Sequence, residues 1–273
     1  MTIWKRNMVP GKPRLAYDEA GAGPALVFLH GIGGNRTNWH DQLPAFADRF
    51  HAVAWDARGY GDSDDYDGPL DFADFSADLL RLLDHLGAAR AHLCGLSMGG
   101  RIAQDFHDRH PDRVATLVLC DTFAGFEASF TPEKRAAFVE MRTRSLIEGG
   151  APRDMAPAVA RLLMGPQSPA HVYRRLVDSM SALHTESYIK TVMATTMYDK
   201  TAALSRIAVP TLLVYGGDDR LTPVKIGRDM AAKIPGARLV VIEGSGHLVN
   251  IEQPDIFNAT VRDFLLAHRE RAY

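Results

Sequence analysis

Cysteine is scarce in this 273-residue chain: there are two, Cys94 and Cys120, both inside apolar runs that read as strands. That count argues against a disulfide framework, and each thiol reads as a small buried hydrophobe. An excess of one charge is missing too. Lys plus Arg comes to 31 and Asp plus Glu to 33, a formal net charge of −2, which gives no electrostatic footing for a nucleic-acid partner or an anionic membrane surface. No stretch approaches the roughly 18 consecutive apolar residues of a membrane span, and Met1-Thr2-Ile3-Trp4-Lys5-Arg6-Asn7 lacks the apolar core of a signal peptide. A cytoplasmic protein with no membrane partner is the expectation. Repeats, low-complexity tracts and linkers are absent, which favours one α/β domain, or one with an insertion, over two independent domains. Neither zinc-ligand spacing nor a dinucleotide fingerprint occurs, so no metal and no cofactor is implied.

What is present is a regular alternation. Residues 2–20 read as an antiparallel strand pair before the turn Gly21-Ala22-Gly23-Pro24. Ala25-Leu26-Val27-Phe28-Leu29 is apolar without a period of two, as in a strand covered on both faces. A helix over roughly 39–47 follows, then the strand Ala52-Val53-Ala54-Trp55. Leu79, Leu80, Leu82, Leu83 and Leu86 mark a helix that Gly87 stops, and strands at 90–94 and 114–120 continue the series. Strand and helix in turn predict a mostly parallel, doubly wound sheet. Between 123 and 203 only helical patterns appear, with start signals at Thr131-Pro132-Glu133, Ser168-Pro169 and Thr185-Glu186. Alternation resumes with the strand 211–215, a helix over 224–234, the strand 239–242 and a helix over 254–268. A helical cap at 123–203 is thus expected to interrupt one core made of residues 1–122 and 204–273.

The chemistry centres on Gly95-Leu96-Ser97-Met98-Gly99, a G-x-S-x-G sequence between a predicted strand and a predicted helix, the setting in which a serine hydroxyl stands exposed on a sharp turn. A serine needs a base. His247, in Gly244-Ser245-Gly246-His247 past the last core strand, is the candidate; His30 also ends a strand near the serine and is expected to brace the neighbouring loop. The acid that orients the base is expected in Gly216-Gly217-Asp218-Asp219, with Asp219 chosen, Asp218 read as a solvated turn residue, and Asp121 kept as an alternative. For the oxyanion formed on attack at a carbonyl, the backbone N–H groups of Ile32, in the turn after the third strand, and of Met98, at a helix start, are the candidate donors.

Together, His30-Gly31-Ile32-Gly33, Asp56-Ala57-Arg58-Gly59-Tyr60-Gly61-Asp62-Ser63, Gly95-Leu96-Ser97-Met98-Gly99-Gly100, Gly216-Gly217-Asp218-Asp219 and Gly246-His247 resemble the α/β-hydrolase family. Within it the chain looks like the 3-oxoadipate enol-lactonase-like group of small bacterial carboxylic-ester and lactone hydrolases. The resemblance implies hydrolysis of a small-molecule ester or lactone through an acyl-Ser97 intermediate; a monomer or homodimer is expected. Serine at position 97 argues against haloalkane dehalogenase and epoxide hydrolase chemistry, which use aspartate. Carbon–carbon bond hydrolysis of vinylogous diketones, perhydrolysis, and a ligand receptor that retains the triad are the rival readings.

For the substrate pocket, Trp39, Phe123 and Leu248 are the candidate lining, with Met98 and some of the cap methionines Met141, Met155, Met164, Met180, Met193 and Met197. Arg161, Arg174 and Arg175 are candidates to meet a substrate carboxylate, against the ordinary expectation that helical arginines face solvent. Arg58 is expected to tie its own loop to Asp56.

Overall fold

The run Ala25–Leu29 forms β3, buried along its whole length because parallel strands flank it and helices cover both faces. The structure is a computed structural model that describes residues 4–126 and 130–272; the expected start of the first strand pair, at residues 2 and 3, lies outside them. β1 (Lys5–Val9) and β2 (Leu15–Ala20) pair antiparallel, β2 pairs antiparallel with β4 (His51–Trp55), and all later pairings are parallel. With β5 (Ala91–Leu96), β6 (Val114–Cys120), β7 (Thr211–Gly216) and β8 (Arg238–Ile242), the sheet order is β1-β2-β4-β3-β5-β6-β7-β8. The chain therefore reverses its direction of travel between β3 and β5. The crevice at such a switch point is where doubly wound sheets place their ligands.

Neighbouring residues on each strand feed opposite faces. Val27, Leu29, Val53, Leu93 and Leu117 pack with α2 (Phe72–His85) and α3 (Met98–Arg109), while Leu26, Phe28, Ala52, Cys94 and Val118 pack with α1 (Gln42–Phe46) and a C-terminal helix. Both cysteines are free and buried. Between β6 and β7 run α4 (Pro132–Ile147), α5 (Pro152–Leu163), α6 (Ala170–Ser181) and α7 (Thr185–Met197). The two ends of this helical insertion meet: Gly125 bridges Asp199, and the Lys200 N–H donates to the Ala124 carbonyl at 2.6 Å. After β7 come α8 (Val224–Ala231), the short α9 (Val249–Glu252) and α10 (Pro254–Leu266). No helix among the described residues is long and apolar enough to cross a membrane.

Three local expectations are corrected. The helix expected over 39–47 is broken into a 3-10 turn, Arg36–Trp39, capped by Asn35, and the short α1. Pro44 has no N–H to give to the carbonyl of His40, so a continuous helix would lose a bond there. Thr131 does cap α4, accepting the Lys134 N–H, whereas Ser168 gives its hydroxyl to Glu252 and α6 opens at Ala170. Arg58 does not reach for Asp56: it binds Asp78 and Asp74, and Asp56 is held by the buried Arg36.

Candidate active site

β5 ends at Leu96 and α3 begins at Met98. Ser97, the one residue between them, has φ 53° and ψ −111°, a strained backbone for any residue with a side chain. Hydrogen bonds on both sides impose it: the Ser97 N–H donates to the Cys120 carbonyl at 2.9 Å, and the Ser97 carbonyl accepts from the Thr122 hydroxyl at 2.6 Å. The flanking glycines follow from space. A methyl group on Gly95 would run into the carbonyl of Gly99, and one on Gly99 into that of Leu29.

Ser97 borders a chamber that His247 and Leu248 share with it. The His247 Nδ1 lies 2.8 Å from Oδ2 of Asp219, which leaves Nε2 as the basic nitrogen. Asp219 is buried and also accepts the N–H groups of Leu221 and Thr222, at 2.8 and 3.1 Å, and the Thr222 hydroxyl. Burial works to raise its pKa, but the charge and hydrogen bond of His247 and the bonds from Thr222 outweigh it and hold the carboxylate below its ordinary value. Asp218 is exposed in the turn. Asp121 is buried nearby, but accepts the Gly216 N–H at 2.8 Å and makes no bond to the imidazole. Among the described residues no hydrogen bond joins Ser97 to His247 directly; such bonds are often long in enzymes without bound substrate.

The turn after β3 lies against the serine. A Cβ added to Gly31 would come within 3.3 Å of the Ser97 Cβ, and Ile32 lines the chamber beside it. The Met98 N–H opens α3, where helix geometry leaves it without an intrahelical acceptor and at the positive end of the dipole. His30 braces this turn as expected. Its Nδ1 donates to the Gly31 carbonyl at 2.9 Å and its Nε2 accepts the Ala57 N–H at 3.1 Å, a neutral tautomer that burial favours by lowering its pKa.

Of the expected pocket residues, Leu248 lines the chamber and two others do not. Trp39 is fully buried and stacks on Phe28 at 4.9 Å, because the 3-10 turn aims it at the sheet's core. Phe123 lies instead against the Arg101 guanidinium, 4.7 Å from its ring centroid. The Met98 side chain packs into the core, with its sulfur 4.0 Å from the Tyr60 hydroxyl. Met180 alone of the six insertion methionines lines the chamber, while Met141, Met193 and Met197 are exposed. Arg175 is occupied by Asp41 and the Thr37 carbonyl, Arg161 by the Tyr173 ring, and neither they nor Arg174 border the chamber.

Other contributors went unread in the sequence. Arg142 of α4 and Tyr188 of α7 line the chamber. Glu252 of α9 binds the histidine loop: one carboxylate oxygen accepts the N–H groups of Gly246 and Gly165 at 3.0 and 2.8 Å, the other that of Leu248 at 3.1 Å. A glutamate just after the glycines of a histidine loop, whose backbone needs acceptors, was the signal available for it. The chamber itself is small, about 40 Å³, room for roughly three waters.

Residues 24–254 match the family model described as the alpha/beta hydrolase fold. The chain is 30% identical over 239 residues to 3-oxoadipate enol-lactonase 2 of Acinetobacter baylyi, covering 87% of each. It is also 30% identical over 263 residues to the 2-hydroxy-6-oxononadienedioate/2-hydroxy-6-oxononatrienedioate hydrolase of Burkholderia vietnamiensis, covering 92% of this chain and 91% of that one. Among solved structures, a thermophilic esterase from Thermogutta terrifontis superposes with a TM-score of 0.89 at 29% identity, over 97% of this chain and 99% of that one. The chain belongs to the α/β-hydrolase family, a family of hydrolytic enzymes.

Proposed function

We propose that this hydrolase cleaves a small carboxylic ester or lactone through an acyl-Ser97 intermediate, beneath a cap formed by α4–α7. The observation that carries the reading is the buried Asp219–His247 couple, 2.8 Å between Nδ1 and Oδ2, in one chamber with a serine on a strained turn. The His247 Nε2 takes the Ser97 proton as the hydroxyl oxygen attacks the carbonyl carbon. Negative charge then collects on the carbonyl oxygen, where the Ile32 and Met98 N–H groups face it; one such donor is worth about 10²–10³ in rate. Collapse expels the alcohol, which takes the proton from His247; in a lactone the alcohol stays attached. Water, deprotonated by His247, attacks the acyl carbon; collapse breaks the bond to the Ser97 oxygen, which takes the proton back from His247, and the acid is released. Short-chain p-nitrophenyl esters test this: wild-type turnover is expected to fall by about 10⁶ in Ser97→Ala. Retained turnover in that variant, or none in the wild type, overturns the assignment.

A further inference from the structure

Glu252 is 5% exposed, and its buried carboxylate joins two segments that are far apart along the chain. From the core come the N–H groups of Gly246 and Leu248, the residues on either side of His247, at 3.0 and 3.1 Å. From the insertion, between α5 and α6, come the Gly165 N–H at 2.8 Å and the Ser168 hydroxyl. All four are donors, which is what a carboxylate requires and an amide cannot match. One oxygen, Oε2, takes Gly165, Ser168 and Gly246 together, so a shift of the insertion at 165–168 reaches the histidine loop through a single atom. Leu248 is gripped twice, because the Glu252 N–H donates in turn to the Leu248 carbonyl at 2.9 Å.

The two backbones also touch. The His247 N–H donates to the Leu163 carbonyl at 2.8 Å, and a methyl group on Gly246 would run into that carbonyl and into the Gly165 nitrogen. Leu163 lines the chamber from the end of α5, with Val159 one turn before it. His247 is thus held from two sides, its Nδ1 by Asp219 of the core and its backbone by the insertion. Asp219 fixes the tautomer, but the reach of Nε2 toward Ser97 depends on where the loop carries the ring, and a misplacement of about 1 Å can cost about 10²-fold in rate. Elsewhere the insertion is fastened differently: His184 and Ser187 reach Asp65, and Lys190 reaches the Tyr66 carbonyl, in a loop that carries no part of the Ser97–His247–Asp219 set.

We infer that Glu252 is a positioning residue that ties the loop of His247 to the insertion, so that the placement of the cap over the chamber and of the imidazole beside Ser97 are set together. This rests on the acyl-Ser97 reading and adds a control of that same site. An acyl group that fills the chamber presses on Val159 and Leu163, and the backbone that carries Leu163 also accepts the His247 N–H. Occupancy of the chamber is felt at the base through that bond and through the Glu252 clasp.

The test uses the full chain and p-nitrophenyl butyrate. Glu252→Gln keeps the volume but sets an NH2 group against an N–H that needs an acceptor; kcat is expected to fall about tenfold, the worth of a hydrogen bond to a charged group, with KM within about twofold. Ser168 does not border the chamber, yet Ser168→Ala is expected to lower kcat by about threefold. The double variant is expected to lose less than the product of the two single losses, since both act through one carboxylate. The His247 Nδ1 proton, held by Asp219, gives a readout independent of turnover: its NMR resonance is expected to move in both single variants, which a loss of folded protein alone would not produce. An unchanged kcat in folded Glu252→Gln overturns the positioning role. An unchanged Ser168→Ala, or losses that simply multiply, overturns the tie to the insertion. Should Glu252→Gln fail to fold, Ser168→Ala decides by itself. Absence of ester turnover in the wild type overturns the acyl-Ser97 reading instead, and the Nδ1 resonance then decides the positioning role.

Discussion

The serine turn and the helices above it are built on opposite terms. Around Ser97, His247 and Asp219 the backbone is committed: Ser97 is bonded through both its N–H and its carbonyl, and Glu252 gathers three N–H groups of the histidine loop and its neighbour. Over the chamber, α4–α7 present mostly apolar side chains and one guanidinium, and their outer faces leave Met141 and Met197 71% and 74% exposed. Such a division fixes the chemistry with backbone hydrogen bonds and leaves substrate choice to exchangeable side chains. The two parts are still joined at the histidine loop, where the His247 N–H donates to the Leu163 carbonyl, at the end of α5, at 2.8 Å, and Glu252 accepts the Gly165 N–H.

The largest effect that tests this division lies in the committed part. Asp219→Asn keeps the shape of the site but withdraws the charge that holds His247 in its tautomer, and kcat is expected to drop by about 10⁴ on p-nitrophenyl butyrate. Asp218→Asn, at an exposed position one residue away, is expected to leave kcat within about twofold, as surface substitutions do. Equal losses in the two variants would move the orienting role off Asp219.

A smaller effect is expected in the exchangeable part. Met180 is buried and rests on the turn after β3, its terminal methyl 3.5 Å from where a Cβ on Gly33 would sit. Met180→Ala removes that cover; a stability loss of about 2–5 kcal/mol is expected in urea unfolding, from lost burial and a cavity. Kinetics should shift in a second way. The wider chamber is expected to raise kcat/KM for longer acyl chains relative to acetyl, so an unchanged chain-length profile would show that Met180 does not set the limit.

The same division decided what could be read in the sequence. Ser97, Asp219 and His247 were legible because the local backbone writes itself into residue type: glycines where no Cβ fits, and an apolar strand immediately before each turn. The paired aspartates were separable because one position in the turn points inward and the other into solvent. Four helices between β6 and β7 were visible as patterns, yet the residues facing the chamber were not. Amphipathic periodicity identifies a buried face without saying what it is buried against, so Met180 and the exposed Met193 carried the same signal. Trp39 illustrates the limit: it was expected in the pocket, and a 3-10 turn ahead of Pro44 sends it into the core. Arg142 escaped in the same way: it lines the chamber from α4.

An effect on stability alone, with no loss of turnover expected, sharpens the comparison within the sheet itself. Asp121 and Asp219 are both buried, at the ends of adjacent strands, and their environments drive them apart: Asp219 is held ionised by His247, whereas burial first and the Asp219 charge second push the Asp121 pKa well above the ordinary carboxylate range. Its Oδ2 is buried without a partner, and its backbone φ is 41°. The unfolded chain ionises this aspartate near pH 4, while the folded chain keeps it protonated to higher pH. Its contribution to stability is therefore full below about pH 4 and is lost as pH rises toward the folded value. Asparagine is neutral at every pH, has the same shape, and tolerates positive φ better than most residues. Asp121→Asn is thus expected to match the wild type near pH 4 and to exceed it at pH 8, with a gap that widens by up to about 1.4 kcal/mol per pH unit until the native carboxyl ionises. Urea unfolding at both pH values measures the gap, and one that stays constant would mean that Asp121 is already ionised in the fold. Ester turnover in the same variant closes the remaining alternative: if Asp121 were the acid that steers His247, its amide would lose the rate that the Asp219 amide is expected to lose.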